Sequence, residues 1–351
     1  MKLLHGHDRG HDDHEHDHAH NAAHEADAHG HERGRGAGHG HDHSAPGGSL
    51  DLRTAEGIRA ARWSSLALLI TGAVELAIFA VGNSAGLLAD AMHNLGDVAT
   101  TLAIWAAFIL SRREANERFP YGYHRAEDLA GVFVLIVMVA SAIAAGYESL
   151  DHLITGSHPT HLWVSAAAAL VGFAGNELTA LYKTSVGKRI GSVSLEADGA
   201  HSRVDGLVSL AALAGIGGVA AGMERADGLA GVVITLVIAG VIVSTARGVI
   251  GRSMDSVNPT LTRQVHAVAG AVPDVLGVHD VRLRWAGRAL FISLSIALPP
   301  ELPLAQAHDA AEAVRHALLH EIDGVQGVDV HMDPGAEHDA AHTLTAHHGG
   351  G

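Results

Sequence analysis

Six long apolar stretches constrain this 351-residue chain more than any other feature; they lie at about 63–82, 87–110, 127–150, 160–182, 193–221 and 228–248. Each can cross ~30 Å of hydrocarbon as a helix of ~20 residues. Lipid offers backbone groups no water, so spans of this composition fold as helices packed on one another. The fifth stretch is the least apolar, because Glu196, Asp198, His201, Arg203 and Asp205 lie within it. Loop charge sets the orientation. Arg53, Arg59 and Arg62 precede the first stretch, Arg112, Arg113, Arg118 and Arg125 follow the second, and Lys183, Lys188 and Arg189 follow the fourth. The opposite loops hold only Arg225. Basic loops stay inside, so both termini are expected in the cytoplasm of a multi-pass protein of the inner (plasma) membrane.

The flanks differ from this core. The first 48 residues hold 13 of the 29 histidines, among Asp, Gly and Ala, with almost no large apolar side chain. Such a segment cannot bury a core, so residues 1–52 are expected to form a disordered His-rich cytoplasmic tail. Leu3 and Leu4 are too short an apolar run for a signal peptide. The spans occupy residues 53–252. Beyond Ser253 the text is that of a soluble domain. Asn258-Pro259-Thr260 opens a helix, Val278–Trp285 and Ala289–Leu298 alternate as strands around Gly287, Leu304–Ile322 is helical, and Val325–His331 is a last strand. That order, αββαβ over residues 253–334, makes a small α+β domain, and residues 335–351 form a second disordered tail. Cysteine is absent, which excludes disulfides, thiolate metal sites and a cysteine nucleophile. The net charge of −15 argues against nucleic acid as a partner.

Two spans carry one repeated pattern. The second reads Ala89-Asp90-Ala-Met-His93-Asn-Leu-Gly-Asp97 and the fifth Ala197-Asp198-Gly-Ala-His201-Ser-Arg-Val-Asp205, both A-D-x-x-H-x-x-x-D. Offsets of three and seven put the polar groups on one helix face. His93, Asp97, His201 and Asp205 can therefore close a tetrahedral set of two imidazoles and two carboxylates, which suits Zn²⁺ and suits Mg²⁺ or Ca²⁺ poorly. Asp90 and Asp198, one turn away, stand behind the ligands or along the ion's path. The plainer alternative is polar contact between helices. Ionisable groups at membrane depth are expensive and usually functional, and two copies of one spacing favour a metal site. Deprotonated Asp and neutral His are needed to hold a metal, so binding expels protons, and a site exposed to each side in turn is an antiporter. Arg203 lies off the ligand stripe and is expected to pair with Glu196, Asp198 or Glu177.

Asn83-Ser84-Ala-Gly-Leu-Leu-Ala-Asp90-Ala-Met-His93-Asn-Leu-Gly-Asp97, His201-x-x-x-Asp205 and Pro120-Tyr121-Gly122-Tyr123-His124-Arg125-Ala126-Glu127 resemble the cation diffusion facilitator family over about residues 55–334. The His-rich start is similar to that of its bacterial zinc, cobalt and cadmium efflux members. The resemblance implies a homodimeric, proton-driven exporter of divalent metal with a ferredoxin-like cytoplasmic domain. Its transport ligands fall on His93, Asp97, His201 and Asp205, and the metal ligands of its cytoplasmic domain on His279, His308, His331 and Asp333. Ser295 stands where a further cytoplasmic histidine is expected, and Phe119 and Tyr123 stand where a loop site would have ligands.

The leading expectation is a Zn²⁺/H⁺ antiporter that exports metal from the cytoplasm, with Co²⁺, Cd²⁺ or Fe²⁺ as other cargo and no organic cofactor. A membrane sensor or storage protein that does not transport is the alternative; it has no need of ligands at mid-membrane. An intramembrane metallohydrolase is a third class. It needs an open coordination position and a general base, and the six apolar stretches lack H-E-x-x-H, so the chain is not read as an enzyme.

Overall fold

The computed structural model describes residues 46–82, 85–155, 162–223 and 226–335, with the side chains of 46–49, 79–82, 85–95, 152, 155, 162 and 227 outside that description. The expectations for the His-rich start up to residue 45 and for the tail from 336 lie outside the described residues.

Six long helices come first: α1 (Pro46–Gly82), α2 (Ala85–Leu110), α3 (Ala126–Thr155), α4 (Leu162–Ile190), α5 (Val193–Ala220) and α6 (Ala226–Ser253). They match the six apolar stretches in order. Two run further than hydropathy suggests. α1 begins at Pro46, within the segment assigned to the tail, and carries Arg53, Arg59 and Arg62 as helical residues. α4 continues to Ile190, so Lys183, Lys188 and Arg189 are helical and not loop residues. The bilayer limits how long an apolar run is, but a helix stops only where its backbone is broken. α4 stops at Gly191, whose φ is 71°.

α4 packs along α5, α1 along α2 and α4, and α3 along α6. The shared core takes Phe108 and Ile104 from α2, Val134 and Met138 from α3, Ile190 from α4, Leu195 from α5 and Ile238 from α6. Outward positions are just as apolar: Leu178 is 68% exposed and Leu236 is 72% exposed. In water that surface would be costly; against acyl chains it is the ordinary exterior of a bundle.

The soluble part follows as α7 (Pro259–Gly270), β1 (Gly277–Ala286), β2 (Ala289–Leu298), α8 (Leu304–Glu321) and β3 (Val325–Pro334), the αββαβ order read from the sequence. Asn258 caps α7, accepting the Thr260 N–H at 2.9 Å, with Pro259 in the first turn. The sheet has the order β1-β2-β3, with β1 antiparallel and β3 parallel to the central β2. Leu290, Ile292, Leu294, Ile296 and Leu298 of β2 pack with Val265 of α7 and Val314 and Leu318 of α8.

The β1–β2 turn joins this domain to the helices. Gly287 takes φ 55°, which a Cβ would disfavour, and donates its N–H to Asp128 of α3 at 2.9 Å. Its carbonyl accepts from Arg252 of α6 at 3.0 Å. Arg288 is buried. It donates to both carboxylate oxygens of Glu127 at 2.9 and 3.0 Å and to Thr54 Oγ1 of α1 at 3.0 Å, and it lies 4.7 Å from the Phe108 ring centre. Nearby His124, in the α2–α3 loop, is held below its ordinary pKa by burial first and by the Arg288 charge second, so it is neutral at pH 7.

Candidate metal centre

α2 and α5 bring Asp97, His201 and Asp205 together. Among the described residues these form the one group of three or more potential ligands whose atoms lie within 4.8 Å of one another. His201 Nε2 lies 3.2 Å from Asp97 Oδ1, and His201 Nδ1 lies 3.4 Å from Asp205 Oδ2. The imidazole thus sits between carboxylates from two helices. All three residues are buried. His201 and Asp205 are neighbours because four residues make about one turn. Asp97 arrives by tertiary packing alone.

α2 places His93 four residues before Asp97, at the same spacing. The side chains of His93 and Asp90 lie outside the described residues.

Close approach of α4 and α5 helps to hold this geometry. A Cβ on Gly199 would lie 2.9 Å from the Thr184 backbone nitrogen and 2.5 Å from Thr184 Oγ1. The hydroxyl can rotate away, but the backbone cannot. Gly199→Ala is therefore expected to force the helices apart, at about 1–3 kcal/mol of stability. Thermal melting of the detergent-purified variant measures the loss; an unchanged melt would mean that α4 yields freely here.

Arg203 points away from the cluster, as its position off the ligand stripe suggests. It grips Glu177 of α4, with Nη2–Oε1 at 2.9 Å and Nε–Oε2 at 3.2 Å. That contact gives Glu177 a structural role. Glu75 of α1 and Asn176 of α4 are also buried inside the bundle.

Asp198 is occupied elsewhere. Its Oδ2 meets the Lys183 ammonium at 2.8 Å, and the hydroxyls of Thr100 and Thr101 approach its two oxygens at 2.9 and 3.0 Å. Reading Lys183 as a loop charge missed this pair. One sequence signal was available: Lys183 stands eight residues before Gly191 and Asp198 seven after it, so a tight turn at Gly191 sets them level on antiparallel helices.

The cytoplasmic candidates are more dispersed. His331 Nε2 lies 3.1 Å from Asp333 Oδ1. His279 is the β1 partner of Ser295, and His331 is the β3 partner of the same Ser295, so the three share one row across the sheet. His308 of α8 lines a surface cavity of about 410 Å³ with His331, Glu312 and Asp329. Within one chain these groups do not converge as Asp97, His201 and Asp205 do.

Comparison with known proteins agrees with a membrane bundle followed by a cytoplasmic domain. Residues 61–254 match the cation efflux transmembrane domain, and residues 257–335 match the cytoplasmic domain of cation efflux proteins. A probable cation efflux system protein of Mycobacterium tuberculosis is 42% identical over 285 residues, 81% of this chain and 86% of that one. The magnetosome protein MamB of a Magnetospira species is 29% identical, over 72% of this chain and 87% of that one. The manganese efflux system protein MneP of Bacillus subtilis is 26% identical, over 76% and 92%. On this footing the chain belongs to the cation diffusion facilitator family: it is a multi-pass membrane protein for the efflux of divalent cations, and not an enzyme.

Proposed function

We propose that the chain exchanges cytoplasmic Zn²⁺ for protons, with Asp97, His201 and Asp205, completed by His93, as the transport site. The observation that supports this most is the buried imidazole flanked by Asp97 and Asp205. A mixed nitrogen and oxygen set of four ligands suits Zn²⁺, and Co²⁺ accepts the same donors; Cd²⁺ and Fe²⁺ are further cargo. A relative named for manganese shows that cargo varies among similar proteins; here the histidine in the cluster favours the softer ions. Metal and proton compete for the same nitrogen and oxygen atoms, so loading the ion releases protons and reprotonation releases the ion. Both termini face the cytoplasm of the inner membrane, where the His-rich start gathers metal for the bundle. The cytoplasmic domain pairs two copies into a homodimer. It also offers a secondary metal site at His279, His308, His331 and Asp333, reduced by Ser295.

The test is Zn²⁺ uptake into acid-loaded proteoliposomes with the cytoplasmic face outward, wild type beside Asp205→Ala. The expected result is uptake with matching proton release from the wild type, and neither from the variant. Equal flux in both would remove Asp205 from the site. Tight Zn²⁺ binding without flux in the wild type would contradict exchange.

A further inference from the structure

A lysine buried inside the bundle stands beside the metal cluster, and metal ligation does not account for it. The Lys183 side chain is 1% exposed and that of its partner Asp198 is 0% exposed. Lysine has three N–H donors, and here they meet Asp198 Oδ2 at 2.8 Å, Thr101 Oγ1 at 2.8 Å and Ser202 Oγ at 3.1 Å. Asp198 is equally enclosed: Thr100 Oγ1 reaches its Oδ1 at 2.9 Å, and Thr101 Oγ1 reaches its Oδ2 at 3.0 Å. Removing two such charges from water is costly even when they pair, so stability alone is a weak reason for the pair.

Its position suggests another reason. Asp198 lies one turn before His201, on the stripe that also carries Asp205, so it shares a helix face with two of the proposed ligands. Thr100 Oγ1, which contacts Asp198, is also 2.8 Å from the carbonyl oxygen of Asp97. One hydroxyl therefore separates this carboxylate from the turn that supplies a ligand.

We propose that Lys183 is a selectivity-setting positioning residue that holds Asp198 out of the ion's coordination sphere. With the carboxylate engaged, the site keeps two carboxylates, balances a divalent charge and stays four-coordinate, as Zn²⁺ and Co²⁺ prefer. Released, Asp198 adds an oxygen donor and a third negative charge, and the site then suits ions that take more oxygen ligands, such as Mn²⁺. This rests on the reading of the cluster as the transport site.

The test compares Zn²⁺ and Mn²⁺ uptake by full-length protein in proteoliposomes. Lys183→Met is expected to shift the Zn²⁺:Mn²⁺ ratio of kcat/KM toward Mn²⁺ by about tenfold or more, and Lys183→Met with Asp198→Asn to return it to within about threefold of wild type. An unshifted ratio in Lys183→Met would overturn the proposal, as would a shift that persists in the double variant. Should Lys183→Met fail to fold, Asp198→Asn alone decides. A wild-type ratio with near-wild-type Zn²⁺ affinity supports exclusion of Asp198 from the site. A loss of affinity as large as that in Asp205→Ala makes Asp198 a ligand and overturns it. Asp205→Ala also separates the two failures: if that variant transports normally, the transport-site reading has failed, whatever Lys183 does.

Discussion

Asp97→Ala is expected to lower Zn²⁺ affinity by more than about 100-fold, beyond the 10–100-fold that loss of an outer partner costs, and to bring flux to background. In the proposed site Asp97 is the described group that α2 contributes, whereas His201 and Asp205 both stand on α5. Removing it leaves His201 and Asp205 on α5 with His93 as the one proposed ligand from α2, and cuts the proposed carboxylates from two to one. It also takes away the carboxylate 3.2 Å from His201 Nε2, and with it a constraint on the ring. Calorimetric Zn²⁺ titration of the purified variant, beside its flux, is the measurement. The bundle should still fold, because the change removes a buried charge and opens only a small cavity. Retained flux with weakened binding would mean that the ion crosses by ligands other than these.

Arg288→Ala is expected to cost about 3–5 kcal/mol, the usual result of leaving one partner of a buried ion pair alone. Glu127 would remain in the interior with its strongest donor gone. The Thr54 hydroxyl and the Phe108 ring would lose their cation as well. Arg288→Lys should recover only part of the loss, because a point charge cannot engage both oxygens of Glu127 as a guanidinium does. Replacing the pair together, Arg288→Met with Glu127→Leu, should recover more than the lysine does. Thermal melting in detergent ranks the three variants. A melt of Arg288→Ala that matches wild type would show that water reaches Glu127 at this turn.

The architecture was largely legible in the sequence, because its signals are local. Apolar length gives the spans, alternation gives β1 and β2, and Asn258-Pro259 gives the start of α7. The repeated A-D-x-x-H-x-x-x-D likewise singles out Asp97, His201 and Asp205, which α2 and α5 bring within 4.8 Å of one another. What escaped depends on contacts between distant residues. Hydropathy treats Lys183 as the end of a span, although its charge is cancelled by Asp198 on the next helix. Arg288 looks like a solvated turn residue, since nothing near it in sequence announces Glu127, 161 positions earlier. Asp198 shows the limit of spacing as evidence: it shares a stripe with His201 and Asp205, yet its carboxylate meets Lys183 of the neighbouring helix. Helix ends were misjudged for a related reason, because a helix may continue past the bilayer edge until a residue such as Gly191 breaks it.

The middle strand of the cytoplasmic sheet bears on how that domain responds when metal is scarce. Ser295 separates His279 from His331 in one row, and beneath it lies a continuous hydrocarbon core from Val265 through Leu290 and Ile296 to Leu318. A fold held by such a core does not need an ion as its scaffold, unlike small domains that collapse when their metal is removed. Starving a cell of zinc should therefore leave this domain folded. An ion taken up at the proposed row of His279 and His331 would meet a sheet that is already built, and its loss would leave that sheet standing.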